Sequence, residues 1–132
     1  MSNVITRPQV DISNDVKELA KEAAEEVGQV IVHISVLNVA QVDTGLRIWP
    51  TTYLYDQGTE HQSNLIHAEN IVYYPQWQVL SAGKELTFTL IFSGLPSSCA
   101  SFDLIEHCTN QSGAFEVRDM IRNSSDVYYV KM

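Results

Sequence analysis

Most function classes leave a signature that this sequence lacks. It has no run of roughly 18 apolar residues, so no segment reads as a membrane-spanning helix. The opening residues, Met1 to Pro8, lack the basic stretch and apolar core of an export signal. A cytoplasmic location is therefore expected, or export if a signal once preceded these residues. Basic residues are few: 8 Lys and Arg stand against 16 Asp and Glu, a net charge of −8. They form no cluster able to neutralise several phosphates, which argues against nucleic acid and against anionic membrane surfaces as partners. Only two cysteines occur, Cys99 and Cys108, and their spacing fits neither a zinc knuckle nor a redox pair. Reduced thiols are the expectation for a cytoplasmic chain.

Catalytic signatures are equally scarce. There is no glycine-rich phosphate loop, no His-Glu-x-x-His helix and no Gly-x-Ser-x-Gly elbow. Four histidines, His33, His61, His67 and His107, include no close i, i+4 pair. His107 beside Cys108, with Cys99 nearby, makes at most a partial ligand set that His61 or His67 would have to complete. Ser97, Ser98 and Cys99 with Asp103 and His107 hold the residue types of nucleophilic catalysis without the surrounding motif. No enzyme activity, cofactor or metal is expected. Asn110-Gln111-Ser112 and Asn123-Ser124-Ser125 fit the glycosylation pattern, which acts only in a secretory setting.

What is present is an ordinary globular composition. The chain has 132 residues, 45% of them hydrophobic, enough for one core in one domain. Residues 1–28 read as an N-terminal arm and helix, and residues 29–132 as the β domain. Pro8 keeps residues 1–12 extended. A helix is then predicted over 15–27, started by Asp15 with Glu18 three positions on and stopped by Gly28. Val16, Leu19, Ala20, Ala23, Ala24 and Val27 fall on one face, with Lys17, Glu18, Lys21, Glu22, Glu25 and Glu26 opposite. Such an Ala-rich stripe suits a flat surface, either this chain's own sheet or a partner.

Beyond Gln29 the apolar period shortens to two. Val30 to Leu37 is dense in β-branched residues and reads as a central strand. Short strands are expected at 46–49, 51–55, 64–71, 101–106, 114–118 and 127–131, with a helical turn around 119–122. Residues 85–92 are the clearest case, since Leu86, Phe88, Leu90 and Phe92 share one face and Glu85, Thr87 and Thr89 the other. About seven or eight short strands with turn residues between them predict a mostly β, antiparallel, immunoglobulin-like β-sandwich carrying an N-terminal amphipathic helix.

Three stretches also carry a family likeness: Thr51-Thr52-Tyr53-Leu54, Leu65-Ile66-His67-Ala68-Glu69-Asn70-Ile71, and Leu86 to Pro96 running on to Ser101-Phe102-Asp103-Leu104-Ile105-Glu106. In this order they resemble an immunoglobulin-like β-sandwich module of unassigned role found mainly in Bacteroidetes proteins. The resemblance covers about residues 30–120. It implies the sandwich fold and no catalytic residue. Ser93-Gly94 departs from the Pro-Pro often found in those modules, and the helix over 15–27 is not part of their usual pattern.

Trp49, Tyr53, Tyr55, Tyr73, Tyr74 and Trp77 crowd into one third of the chain. Exposed, they would make a platform for a carbohydrate, a small ligand or a peptide. Buried, they would be core rings of the sandwich. Two functions follow: a non-enzymatic protein-interaction or assembly module, with a protein partner or a second copy, or a carbohydrate- or small-ligand-binding domain using the aromatics.

Overall fold

The alternation read from the sequence becomes nine strands in a computed structural model, which describes residues 28–109 and 114–132. The arm and helix expected over residues 1–27 and the Asn110 sequon lie outside the described residues. In chain order the strands are β1 (Gln29–Leu37), β2 (Thr44–Leu46), β3 (Thr52–Asp56), β4 (Gln62–Glu69), β5 (Gln78–Leu80), β6 (Glu85–Ser93), β7 (Ser101–Glu106), β8 (Glu116–Ile121) and β9 (Val127–Lys131). Seven of them form one sheet in the order β8-β7-β3-β4-β6-β1-β9, and β2 with β5 forms a separate two-stranded ribbon. The chain is thus mostly β.

One pairing departs from the antiparallel expectation. β1 runs antiparallel to β6 but parallel to β9, with Ile31 opposite Val127 and Ser35 opposite Lys131. The sheet is therefore mixed. The sequence pattern marks each strand as half-buried or fully buried but carries no information on the direction of its neighbour.

The sheet curls strongly. Phe102 on β7 and Tyr128 on β9 sit near opposite ends of the strand order, yet their rings meet edge to face at 5.1 Å. Phe88 on β6 likewise meets Phe115, just before β8, at 5.5 Å. The apolar faces of distant strands thus close on a single core. Phe88, Phe92 and Phe102 are its largest fully buried side chains, and Leu54, Leu90, Leu104, Val30, Val32 and Ile34 pack with them. Each contributes on the order of 1.5–3 kcal/mol by leaving water. Phe88, Leu90 and Phe92 are buried, and Leu86, less deeply covered, packs against the same core, as their shared alternation predicts.

Two irregularities shape the sheet. On β8, Phe102 pairs with Met120 but Leu104 with Val117, so Arg118 and Asp119 together oppose Asp103. Asp119 takes a left-handed backbone (φ 58°), and its N–H donates to the Asp103 carboxylate at 2.9 Å. This bulge replaces the helical turn expected at 119–122. A strand with one residue inserted breaks the period of two, and the sequence signal fails there for that reason. On β4 the register shifts between Leu65 and His67, leaving Ile66 unpaired and 53% exposed.

Candidate interaction surface

The residues that gather at the surface do so through the β2–β5 ribbon and the segments on either side of it. β2 and β5 pair with Gly45 opposite Val79. Asn38 is buried and ties the loop after β1 to this ribbon: its Nδ2 donates to the carbonyls of Val42 and Leu80, each at 3.0 Å, and its Oδ1 accepts from the Ala40 N–H. Ile48 forms a lone parallel bridge with Tyr73, donating to the Val72 carbonyl and accepting from the Tyr74 N–H, both at 2.9 Å. That bridge fixes the chain on which Trp49 and Tyr74 sit. The Tyr74–Pro75 peptide that follows is cis.

Here three of the six aromatics form one column with an arginine. The rings of Trp49 and Tyr74 stack at 3.7 Å and 18°. The Arg47 guanidinium lies 3.7 Å from the Trp77 ring, 4.7 Å from Tyr74 and 5.5 Å from Trp49, and it donates to the Pro75 carbonyl at 3.3 Å. Contacts of this kind are worth about 0.5–2 kcal/mol each, more as water is excluded. Trp77 can lie this low only because residue 45 is glycine: a Cβ there would come within 2.8 Å of the Trp77 ring. Trp77 remains 60% exposed and Tyr74 42%.

Glu106 anchors the column from below. It is buried, and its two carboxylate oxygens accept the N–H groups of Trp49 (2.8 Å) and Phe115 (2.9 Å). Burial pushes its pKa up, against the pull of those two N–H groups and of the Arg47 charge. The Thr52 hydroxyl donates to the Trp49 carbonyl at 2.6 Å, so both sides of the Trp49 backbone are held.

The other three aromatics go elsewhere. Tyr73 is half-buried and packs on the core. Tyr53 and Tyr55 lie on β3 and meet His107, with a hydrogen bond of 2.7 Å between the Tyr55 hydroxyl and His107 Nε2. The six aromatics thus divide into a surface column (Trp49, Tyr74, Trp77), a side cluster (Tyr53, Tyr55) and a core contact (Tyr73). Arg47 is the residue that sequence reasoning missed. Its signal was spacing: Gly45, Arg47 and Trp49 recur every second residue.

The residues weighed for chemistry have other tasks. His107 binds Tyr55, while Asp103 holds Gln57, Arg118 and the Asp119 N–H. Cys99 is buried, its thiol pushed up to about 11 by burial and by the nearby Asp56 carboxylate. It forms no disulfide with Cys108. His61 Nε2 donates to the Gly94 carbonyl and lies 2.9 Å from the Ser63 hydroxyl, and His33 Nδ1 shares a hydrogen bond with the Thr89 hydroxyl. Among the described residues no three His, Cys, Asp or Glu side chains come together as a metal site. None of their helices is long and apolar enough to cross a membrane.

Comparison of the chain with protein-family models, curated proteins and solved structures returns no match. Of the ten exposed large hydrophobic residues among the described residues, Leu37, Val39, Val42, Tyr74, Trp77 and Val79 come from the two segments that the ribbon joins.

Proposed function

We propose that this chain is a non-enzymatic protein-interaction and assembly module whose contact surface is the β2–β5 ribbon, and that a second copy is its partner. The observation that carries this reading is that the two segments joined by the ribbon hold six of the exposed large apolar side chains among the described residues, two of them, Tyr74 and Trp77, in the Arg47 column. Exposed apolar groups gathered on one part of a surface mark interaction sites, and Trp, Tyr and Arg are the residues that dominate binding energy there. Copies of a chain with net charge −8 repel one another over most of their surface. The curl that brings Phe102 onto Tyr128 supports the view of the domain as two facing layers, in keeping with the resemblance to immunoglobulin-like sandwich modules.

Size-exclusion chromatography with light scattering, run over a concentration series, should show a species larger than one chain. Val79→Asp should return it to a monomer with an unchanged circular dichroism spectrum. A strict monomer at every concentration overturns the reading. The second reading, a carbohydrate or small ligand stacked on Trp77, is favoured by that ring's 60% exposure. In that case a glycan panel should change tryptophan fluorescence, and Trp77→Ala should abolish the change. Against it stands Arg47, which already occupies the space next to Trp77 and Tyr74.

A further inference from the structure

The seven-stranded sheet does not close. Its two end strands, β8 and β9, are neighbours in sequence but have no ladder between them. The curl turns them toward each other across an open cleft of about 470 Å³, walled by Val117, Met120 and Ile121 from β8 and by Val127, Tyr129 and Val130 from β9. Met120 is buried, whereas Ile121 is 72% and Tyr129 80% exposed. This seam is a mostly apolar strip, with Arg118 and Asp119 as its charged members, between two free strand edges, the arrangement that sheets ordinarily cover with a helix or loop.

The chain enters the described fold at one end of that seam. Gly28 and Gln29 share a second cleft, of about 450 Å³, with Cys99 and with residues 122–126, the loop that joins β8 to β9. The Ile31 N–H donates to the Asp126 carbonyl at 2.9 Å, which pins the start of β1 to the same loop. Gly28 therefore stands near the mouth of the seam, with 27 residues of chain preceding it. Thirteen residues, 15–27, span about 20 Å as a helix. A strand of five or six residues spans roughly 17–20 Å. The lengths match. So does the chemistry: Val16, Leu19, Ala20, Ala23, Ala24 and Val27 make one narrow, mostly small-residue stripe that can sink between two strand edges, with the Lys and Glu face turned to water.

We propose that residues 15–27 lie along the β8–β9 seam of the same chain as an amphipathic helix, closing the curled sheet. This inference concerns a different surface from the ribbon and stands or falls separately from self-association there.

Hydrogen exchange read by mass spectrometry on the full chain, at low concentration, tests it. Amides of 15–27 should be protected in the unsubstituted chain. Leu19→Asp should accelerate exchange across β8 and β9 by about ten- to a hundredfold, the factor that corresponds to losing one buried leucine side chain. Ile121→Asp should accelerate exchange in 15–27, the reciprocal effect. Glu22→Gln, on the charged face, should leave both regions unchanged. If Leu19→Asp unfolds the chain, Leu19→Ala should give the same pattern in smaller measure. Exchange of 15–27 at the rate of an unstructured peptide overturns the proposal, as does a Leu19 variant that leaves β8 and β9 unchanged. Coupling that grows with protein concentration also overturns it, because the segment would then occupy the seam of another copy.

Discussion

Two kinds of buried or bonded carboxylate pull the pH dependence of this fold in opposite directions. Burial holds Glu106 above its usual 4.5. Through the interval between 4.5 and that raised value, the folded chain binds more protons than the unfolded one. The stability due to Glu106 is therefore complete below 4.5 and lost as pH rises through the raised value. Asp103 is held below 3.8, chiefly by the Asp119 N–H and with help from Gln57 and Arg118. Burial pushes Asp56 up, but hydrogen bonds from Thr59, Gly58 and Cys99 outweigh it and leave the group low. The shares of Asp103 and Asp56 are complete above 3.8 and lost as pH falls further. Glu106→Gln should flatten the fall in melting temperature above pH 4.5 while leaving the acid limb below 3.8 in place. An amide has one acceptor oxygen for two N–H groups, so the variant should also lose about 1–3 kcal/mol. Thermal unfolding followed by circular dichroism, stepped from about pH 3 to about pH 7, reads both effects.

Among the elements, the β2–β5 ribbon depends on a single missing side chain. Gly45→Ala places a methyl group against the Trp77 ring and must lift it from Arg47. Because Trp77 is exposed and free to swing, the stability cost should stay near the value of one cation–π contact, about 0.5–1 kcal/mol. Tryptophan emission should shift, and self-association should weaken along with it. β6 and β7 were legible in the sequence because apolar residues recur at every second position, and β1, β3 and β9 because they are dense in β-branched and aromatic residues. β5 was missed, for three residues following the Pro75 break are too few to show a period. β8 was misread from 119 onward because its bulge inserts a residue and reverses the alternation. The aromatic group was legible as a cluster in the chain but not in space. Its division into three depends on which strands pair, and the Ile48–Tyr73 bridge that builds the surface column carries no sequence signal. Nothing in the sequence marks Val39, Val42 and Val79 as surface residues, and only the fold shows them exposed.

At the scale of the molecule, the core is one continuous cluster shared by strands from both ends of the sheet. Phe102 is fully buried and links β7 to Tyr128 of β9, so its removal empties space that neither strand can refill alone. Phe102→Ala should cost about 3–5 kcal/mol. Urea unfolding followed by fluorescence and by circular dichroism should show one shared, earlier transition, since no part of the sheet has a core of its own.

The parallel contact between β1 and β9 has a bearing on how the chain is made. β1 is the first described strand to leave the ribosome and β9 the last, and until Val127–Lys131 emerge one edge of β1 waits unpaired. A nascent chain carries that exposed, β-branched edge while every strand from β2 to β8 is being made, the condition in which strands find wrong partners. Completion of this fold thus waits on the emergence of Val127–Lys131.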